Sequence, residues 1–313
     1  MKLKQHIILV ILTIFLMVWN LIDFRGLGDF VMWEFRTPRV LGALFAGWGL
    51  AMAGLMMQTL FRNPLAGPFL IGVTPGAGLG MAFYIFLGGF IPASISQFGS
   101  SLSAILGAIV ILGLQLLLNR GFGSPIRMLL TGMVLGFLAS AVIQLMQQLS
   151  NVQELQQFTF WGMGSFEKIQ WPDPFWIILP ILLIGGLFWS RRGNMDSYLL
   201  GDMVLQSDGI SLTQTRRILV LGGAILAGYI TSFCGPIGFV GLVGPHIAKR
   251  IAQTESHQRV MIPSILWGGF LSLAADTIAH DVIPGMVFQV NPITAIIGAP
   301  ILIWSLRQRK NSI

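Results

Sequence analysis

The stretch GPIGFVGLVGPHIAKR, residues 235–250, decides the fold class of this chain. Its apolar run is bracketed by two Gly-Pro pairs, Gly235-Pro236 and Gly244-Pro245. A helix needs about 20 apolar residues to cross a bilayer, and this run is shorter. A broken segment is tolerated at membrane depth only where protein or a water-filled cavity satisfies the freed backbone groups. The stretch therefore predicts a bundle of membrane helices that encloses it.

The composition of the whole chain also indicates a membrane protein. Hydrophobic residues make up 54% of the 313 residues and charged residues only 10%, whereas charged residues are about a quarter of a soluble domain. The net charge of +7 does not indicate nucleic-acid binding, because the basic residues lie at the ends of apolar runs instead of forming one patch. Cys234 is the sole cysteine, which excludes an intrachain disulfide and a cysteine-based metal site.

Apolar runs separated by polar gaps predict one all-α transmembrane domain, residues 1–313, with ten membrane spans. The first span follows Lys2 and Lys4, as in a signal peptide, but no small-residue cleavage site comes after it, so we interpret it as a retained span. The predicted spans are 6–22, 40–58, 69–89, 102–118, 128–149, 175–189, 218–234, 239–251, 260–279 and 293–306.

The basic residues are sorted between alternate gaps, and this predicts the orientation in the membrane. All but four of the 19 Lys and Arg residues fall on one side of the predicted spans, together with both termini. The exceptions are Arg25, Arg36, Arg39 and Lys168. Because Lys and Arg are retained in the cytoplasm during insertion, we expect a multi-pass protein of the bacterial inner membrane with both termini cytoplasmic.

Sequence motifs for chemistry are missing from the chain. It contains no phosphate-binding loop with a lysine, no zinc-protease motif and no nucleophile elbow, and we predict no catalytic residue and no metal site. Ionisable residues are nearly absent from the predicted spans. Asp276 is the clearest exception, and we expect it to pair locally with His280 one helical turn later, a proton or ion relay being the less favoured alternative. Energy for transport is therefore expected from a partner.

Three blocks of sequence carry a family resemblance. They are residues 36–68, residues 235–250 and residues 275–300, and they occur in the order and spacing of the family. The chain resembles the FecCD-type permeases, the membrane subunits of ABC importers for iron–siderophores, haem and cobalamin. The motif positions within the blocks are Arg62, Asn63, Pro64, Gly235, Pro236, Gly241, Pro245, His246, Asp276, Gly298 and Pro300.

The resemblance implies an assembly and an energy source. It implies a homodimer with the pathway along the dimer axis, two cytoplasmic ATPases that bind ATP and Mg, and an external binding protein that delivers the ligand. It implies no cofactor in this chain and no enzymatic activity. Arg36 and Arg39 match the family's docking arginines for the binding protein, and Arg25 is a further candidate. Anchoring to lipid headgroups is the alternative role for these external arginines.

Two further regions are assigned through the resemblance. The polar loop 191–217 corresponds to the family's ATPase-coupling element, in which short helices flanked by Gly201 and Gly209 are expected. The candidate contacts are Leu199, Leu200, Gly201, Met203, Val204, Asp208, Gly209 and Ile210. The fifth span resembles the pathway-lining helix, with amides spaced to share one helical face at Gln144, Gln147, Gln148 and Asn151. Hydrogen bonds between helices are an equally favoured role for these amides.

The chain departs from the family pattern at two places. Val287-Phe288-Gln289 stands where the family has Glu-Leu-Pro, and His280 stands where Arg often closes the ninth span. The predicted function is an importer permease, for iron(III)–siderophore complexes first and for haem or cobalamin as alternatives. An ion-coupled secondary carrier is the less favoured hypothesis, because it would need more charges inside the membrane.

Overall fold

The computed structural model describes residues 2–22, 28–88, 93–281 and 286–309, and within these ranges it contains helices and turns but no strand. A π-helical turn, Met32–Arg36, joins α2 to α3, so that Asp29–Leu60 is one continuous helix, and a 3-10 turn, Pro68–Ile71, precedes α4. The helices are α1 (Lys2–Leu21), α2 (Asp29–Val31), α3 (Thr37–Leu60), α4 (Val73–Phe86), α5 (Ala93–Leu118), α6 (Pro125–Leu149), α7 (Val152–Gly162), α8 (Asp173–Ser190), α9 (Arg192–Leu200), α10 (Asp202–Ser207), α11 (Leu212–Cys234), α12 (Val240–Ala252), α13 (His257–Asp281) and α14 (Val290–Arg309).

The helices confirm the all-α fold with ten predicted spans. Seven helices within the described ranges are long and apolar enough to cross a membrane. The remaining predicted spans coincide with α4, α12 and α14. The protein is therefore a polytopic membrane protein.

Helix α3 is the centre of the bundle, where it packs against α8, α11, α12 and α13. Small residues let the neighbouring backbones approach α3 closely. A Cβ atom on Gly54 would lie 1.5 Å from the carbonyl oxygen of Gly241 in α12, and one on Gly47 would lie 2.4 Å from that of Gly268 in α13. Backbone therefore contacts backbone at both crossings, with no room for a side chain.

The broken stretch that opens α12 is enclosed by protein, as its sequence predicts. Helix α11 ends at Cys234 and is followed by Gly235, which has φ +71°, and α12 starts after Phe239, which has φ +64°. The N–H of Gly238 donates to the side-chain oxygen of Asn291 at 2.9 Å, and that of Val240 donates to the carbonyl of Gly238 at 2.7 Å. The freed backbone groups thus find partners inside the bundle.

Two predicted helical segments are wrong in detail. The third span was expected to start at Phe69, but a 3-10 turn occupies this position and α4 begins only after Gly72, whose φ of +77° interrupts the helix. A Cβ at Gly72 would lie 2.7 Å from the carbonyl oxygen of Gly132 in α6, so close packing accompanies the break. Asn151 does not continue the amide face of α6, which ends at Leu149.

The bundle has two ends, which we name by the elements they carry. The coupling face is the end with α9 and α10, where α3 finishes and α13 starts. The distal face is the opposite end, where α3 starts and α13 finishes. The loop 191–217 forms short helices as predicted, with Gly201 between them at φ +132° and Gly209 after the second at φ +71°.

Candidate functional site

Apolar side chains are exposed on the two short helices of the coupling face. Leu200 is 74% exposed and Met203 is 86% exposed, with Val204 beside them at 38%. We name these three residues the coupling surface. Leu199 and Ile210 are half-buried, and the carboxylate of Asp208 accepts a hydrogen bond from Ser197 at 2.7 Å. Three neighbouring apolar side chains are thus exposed on a loop that is otherwise polar.

Two arginines hold α9 and α10 against the bundle. Arg62, directly after α3, donates from Nε and Nη2 to the carbonyl oxygen of Tyr198 in α9 at 2.9 and 2.6 Å, and from Nη2 to the Asp202 carboxylate. Its guanidinium also stacks on the buried Tyr198 ring, 4.3 Å from the centroid. Arg216 of α11 donates to the other oxygen of Asp202 at 2.7 Å. These charge-assisted bonds fix the coupling surface to α3 and α11.

The turn after α3 aims Arg62 at its partners. Arg62 has φ +47°, a left-handed conformation that turns the chain at the helix end. The side chain of Asn63 accepts a hydrogen bond from the N–H of Leu65 at 2.9 Å and so closes an Asx turn across Pro64. The Arg-Asn-Pro motif thus has a local physical role, which is to direct the guanidinium towards α9.

A buried histidine makes a second link between α9 and the bundle. His257, at the start of α13, is fully buried, and its Nδ1 lies 2.6 Å from an Asp196 carboxylate oxygen of α9. The backbone N–H of His257 donates to the same oxygen at 2.8 Å, and the Ser256 hydroxyl donates to the other carboxylate oxygen at 3.1 Å. The Nε2 atom of His257 is 2.8 Å from the hydroxyl of Thr59 in α3. One imidazole therefore connects three helices.

Four ionisable side chains meet at the distal face. Nε of Arg39 is 3.3 Å from the fully buried carboxylate of Asp276, and Nδ1 of His280 is 3.4 Å from its other oxygen. Nε2 of His280 lies 3.5 Å from Glu167, after α7. The expected local pairing of Asp276 with His280 is present, and Arg39 and Glu167 extend it. The contact with His280 holds the pKa of Glu167 below its usual range.

The predicted docking arginines differ in their surroundings. Only 15% of the Arg39 side chain is exposed, and its Nη2 also donates to Asn20 at 3.1 Å. Arg36 is half-buried and donates to the carbonyl oxygen of Ile22 at 2.9 Å. Arg25 lies outside the described residues. Arg39 is therefore less available to a partner than the sequence suggests.

The amides of α6 lie near its distal end. Gln144 and Gln148 are exposed and Gln147 is half-buried. Asn151 instead caps α7, where its side chain accepts from the N–H of Glu154 at 2.9 Å while the Glu154 carboxylate accepts from the N–H of Asn151 at 3.2 Å. This reciprocal capping box explains why a residue with the correct spacing leaves the predicted helical face.

The remaining motif residues lie in the broken helix α12 or next to it. A Cβ on Gly241 would lie 2.7 Å from the carbonyl oxygen of Leu50, and one on Gly298 would lie 2.6 Å from Cβ of Phe239. A Cβ on Gly235 would lie 2.3 Å from the carbonyl oxygen of Trp161. The other motif positions of this region are Pro245, which is buried in α12, Pro236 and His246, which are half-buried, and Pro300, which is exposed in α14.

Comparison with protein families matches this arrangement to known transport proteins. The sequence model of the FecCD transport family matches residues 6–308. The chain belongs to the FecCD transport family.

Curated relatives of this FecCD protein include two vitamin B12 import system permease proteins, both BtuC. The protein from Serratia proteamaculans (strain 568) is 36% identical over 285 residues, which cover 90% of this chain and 82% of the relative. The protein from Escherichia coli O139:H28 is 34% identical over 288 residues, which cover 90% of this chain and 85% of the relative.

Solved structures show the same fold. An inward-facing structure described as a metal-chelate type ABC transporter superposes on the FecCD protein with a TM-score of 0.87 at 28% identity, covering 97% of this chain and 99% of the other. PsaBC from Streptococcus pneumoniae superposes with a TM-score of 0.61 at 14% identity, covering 92% of this chain and 95% of the other. The second likeness shows the fold alone.

The sequence did not reveal the residues that attach the loop 191–217 to the helix bundle of this FecCD protein. Asp196, Tyr198, Asp202 and Arg216 fall within the predicted polar loop 191–217 but are not among its candidate contacts, and His257 flanks a predicted span without an assigned role. A charged residue beside an aromatic one on a short helix is a weak local signal. Arg62 and Tyr198, like His257 and Asp196, lie far apart in the chain, so spacing gives no indication of these pairs.

The link between Asp196 and His257 predicts a pH-dependent stability. Burial raises the pKa of Asp196, but hydrogen bonds from His257 and Ser256 outweigh it and hold the pKa below the usual value. Stabilisation is therefore complete above the ordinary Asp pKa of about 3.9 and is lost as the pH falls through the lowered folded value. We expect Asp196→Asn to lose about 1 kcal/mol of unfolding free energy at neutral pH, a small value because 35% of the Asp196 side chain is exposed to solvent, and this difference from the unsubstituted protein to vanish in acid.

Thermal unfolding of the purified protein across this pH range measures the effect. Asp208→Asn is the matched control, because a single amide oxygen still accepts the hydrogen bond from Ser197, whereas Asp196 accepts hydrogen bonds at both of its carboxylate oxygens. A difference between the Asp196→Asn variant and the unsubstituted protein that is constant from neutral to acid pH would contradict the prediction.

Proposed function

We propose that this FecCD protein is the permease subunit of an ATP-driven ABC importer for metal chelates. The observation that carries the proposal is the coupling surface, an exposed apolar patch fixed to the bundle by Arg62, Arg216 and His257. Such a patch transmits a movement of a partner protein to the membrane helices only if it is attached to them rigidly. At the coupling face the patch is exposed, and it is bonded to the membrane helices.

The coupling surface fits a cytoplasmic ATPase. Leu200 and Met203 would fill an apolar groove on the ATPase, which would bind ATP and Mg and supply the energy. Asp202 and Asp196, which are bonded from α3, α11 and α13, would carry the displacement into the bundle. We propose the assembly of two permease copies with two such ATPases, with the coupling face in the cytoplasm of a bacterium and both termini on that side.

The distal face would receive the external binding protein. Arg36, and Arg25 outside the described residues, would pair with acidic residues on its lobes. Arg39 would support this surface from inside the bundle, because its Nε already lies 3.3 Å from the Asp276 carboxylate. Gln144, Gln147 and Gln148 on α6 would line a wet pathway without gripping the ligand, since amides are neutral. The described residues contain no group of three or more His, Cys, Asp or Glu that could hold a metal ion.

The chemical class of the ligand is a metal chelate, and two candidates have support. Iron(III)–siderophore complexes are the first, because the family as a whole serves iron most often. Cobalamin is the second, because the named relatives at 34–36% identity are vitamin B12 permeases. Both ligands are too large for the cleft described below to enclose, so we expect the binding protein to set the choice.

Uptake into proteoliposomes tests the proposal. The complete complex with its ATPase and binding protein is expected to accumulate one class of chelate only when ATP reaches the ATPase, and an uncoupler is expected to leave this uptake unchanged. Iron(III)–siderophore, haem and cyanocobalamin are compared as ligands. Accumulation by the permease alone, or uptake that an uncoupler abolishes, would instead indicate an ion-coupled carrier.

A further inference from the structure

A cleft of about 240 Å³ opens at the distal face. Its walls come from four parts of the chain. Gln157 and Phe160 lie on α7, Glu167 and Lys168 follow α7, and Gln289 precedes α14. Trp161 and the end of α11 contribute the apolar remainder of the lining. The cleft therefore joins segments that are distant in sequence.

The walls of the cleft are held in place by the surrounding backbone. The N–H of Ser165 donates to the carbonyl oxygen of Cys234 at 2.8 Å, and that of Val290 donates to the carbonyl oxygen of Gly164 at 3.0 Å. Phe166 and Ile169, on either side of Glu167 and Lys168, are fully buried. The segment that carries the polar residues is thus anchored at both ends, and the cleft is pre-formed.

The polar groups of the cleft favour a neutral ligand that carries hydrogen-bond donors. The side-chain oxygen of Gln289 is buried and has no hydrogen-bond partner among the described residues. Glu167, which is ionised next to His280, accepts hydrogen bonds, while the adjacent Lys168 balances its charge. Gln157 can both donate and accept. An amide group offers N–H donors and a carbonyl acceptor together, so it matches this set.

The size of the cleft limits what it can hold. Pockets that enclose a drug-sized ligand measure about 300–1,000 Å³. A cleft of about 240 Å³ therefore accommodates one side arm of a chelate and leaves the metal centre outside. Phe160 and Trp161 would pack against the apolar part of that arm.

We propose that the cleft is a subsite for one neutral, amide-bearing arm of the transported metal chelate. The proposal rests on the transport function proposed above and specifies one chemical group of the transported ligand. Chelates with peripheral amides would be retained at the distal end of the pathway. Chelates that present only anionic oxygens would not, because they offer no hydrogen-bond donor to Glu167 or to the side-chain oxygen of Gln289.

Protection of a single cysteine tests the subsite directly. Ser165→Cys in a Cys234→Ala background places one thiol at the cleft, and its alkylation by iodoacetamide is timed in the purified full-length protein. Cyanocobalamin, which carries peripheral amides, is expected to slow alkylation, whereas iron(III) tris-catecholate, which carries none, is not. Gln289→Leu, added to this background, is expected to raise the half-protecting concentration of cyanocobalamin about tenfold, because the ligand loses one hydrogen bond.

The outcomes separate the subsite from the transport function. Gln170→Leu, an exposed position outside the cleft, is the matched control and should leave protection unchanged. Equal protection by both chelates, no protection by either, or protection unaffected by Gln289→Leu would overturn the subsite, even if uptake by the complete complex is observed. Protection that depends on Gln289 without any ATP-driven uptake would support the subsite and overturn the importer.

Discussion

Replacing Met203 by Glu is expected to abolish association with the ATPase while the bundle stays folded. Met203 is 86% exposed on α10, so the substitution disturbs nothing inside the protein. In the proposed complex the side chain enters an apolar groove, where an unpaired carboxylate loses its hydration without gaining a partner. Central apolar contacts of this kind contribute about 2–4 kcal/mol, which corresponds to a loss of roughly 30- to 1,000-fold in affinity.

Co-purification with the ATPase, followed by ATP-driven uptake, measures this effect. Met203→Leu keeps an apolar side chain and is expected to retain association. Thr213→Glu adds the same charge at an exposed position in the first turn of α11 and controls for charge alone. Unchanged association of the Met203→Glu variant would remove the coupling surface from the interface.

The sequence predicts the membrane architecture well because its signals are local. The Gly-Pro pairs at residues 235–236 and 244–245 are sufficient to predict a broken, enclosed helix, and α12 begins within one residue of the expected position. The short helices on either side of Gly201, expected through the family resemblance, are also separated by a local feature, the glycine itself. These features depend on residues that are neighbours in the chain.

The parts that the sequence did not predict depend on contacts between distant residues. Arg39 matches a docking motif, but only the fold brings Asp276 to its guanidinium. Asn151 has the spacing of a helical face, but its capping box with Glu154 starts a new helix. Glu167 and Gln289 form one cleft although they are distant in sequence and neither has a local signal. Periodicity alone cannot supply such pairings.

Replacing Gly54 by Ala is expected to be the most destabilising single-methyl change in the protein core. The new Cβ would lie 1.5 Å from the carbonyl oxygen of Gly241, which belongs to the backbone of α12 and cannot rotate away. Helices α3 and α12 would have to separate, and the contacts of α3 with α11 and α13 would loosen with them. Overpacking a core typically loses 1–3 kcal/mol, and we expect about 3 kcal/mol or more here because both partners are backbone.

A graded series of glycines distinguishes close packing from a general effect of added methyl groups. Gly47→Ala, with its Cβ 2.4 Å from the carbonyl oxygen of Gly268, should destabilise the protein less than Gly54→Ala. Gly113→Ala, in α5 with nothing within 4 Å, should be neutral or slightly stabilising, since Ala favours a helix over Gly. Unfolding in detergent and the yield of monodisperse protein give the order. If Gly54→Ala unfolded like Gly113→Ala, the direct backbone contact of α3 with α12 would be wrong, and with it the enclosure that residues 235–250 require.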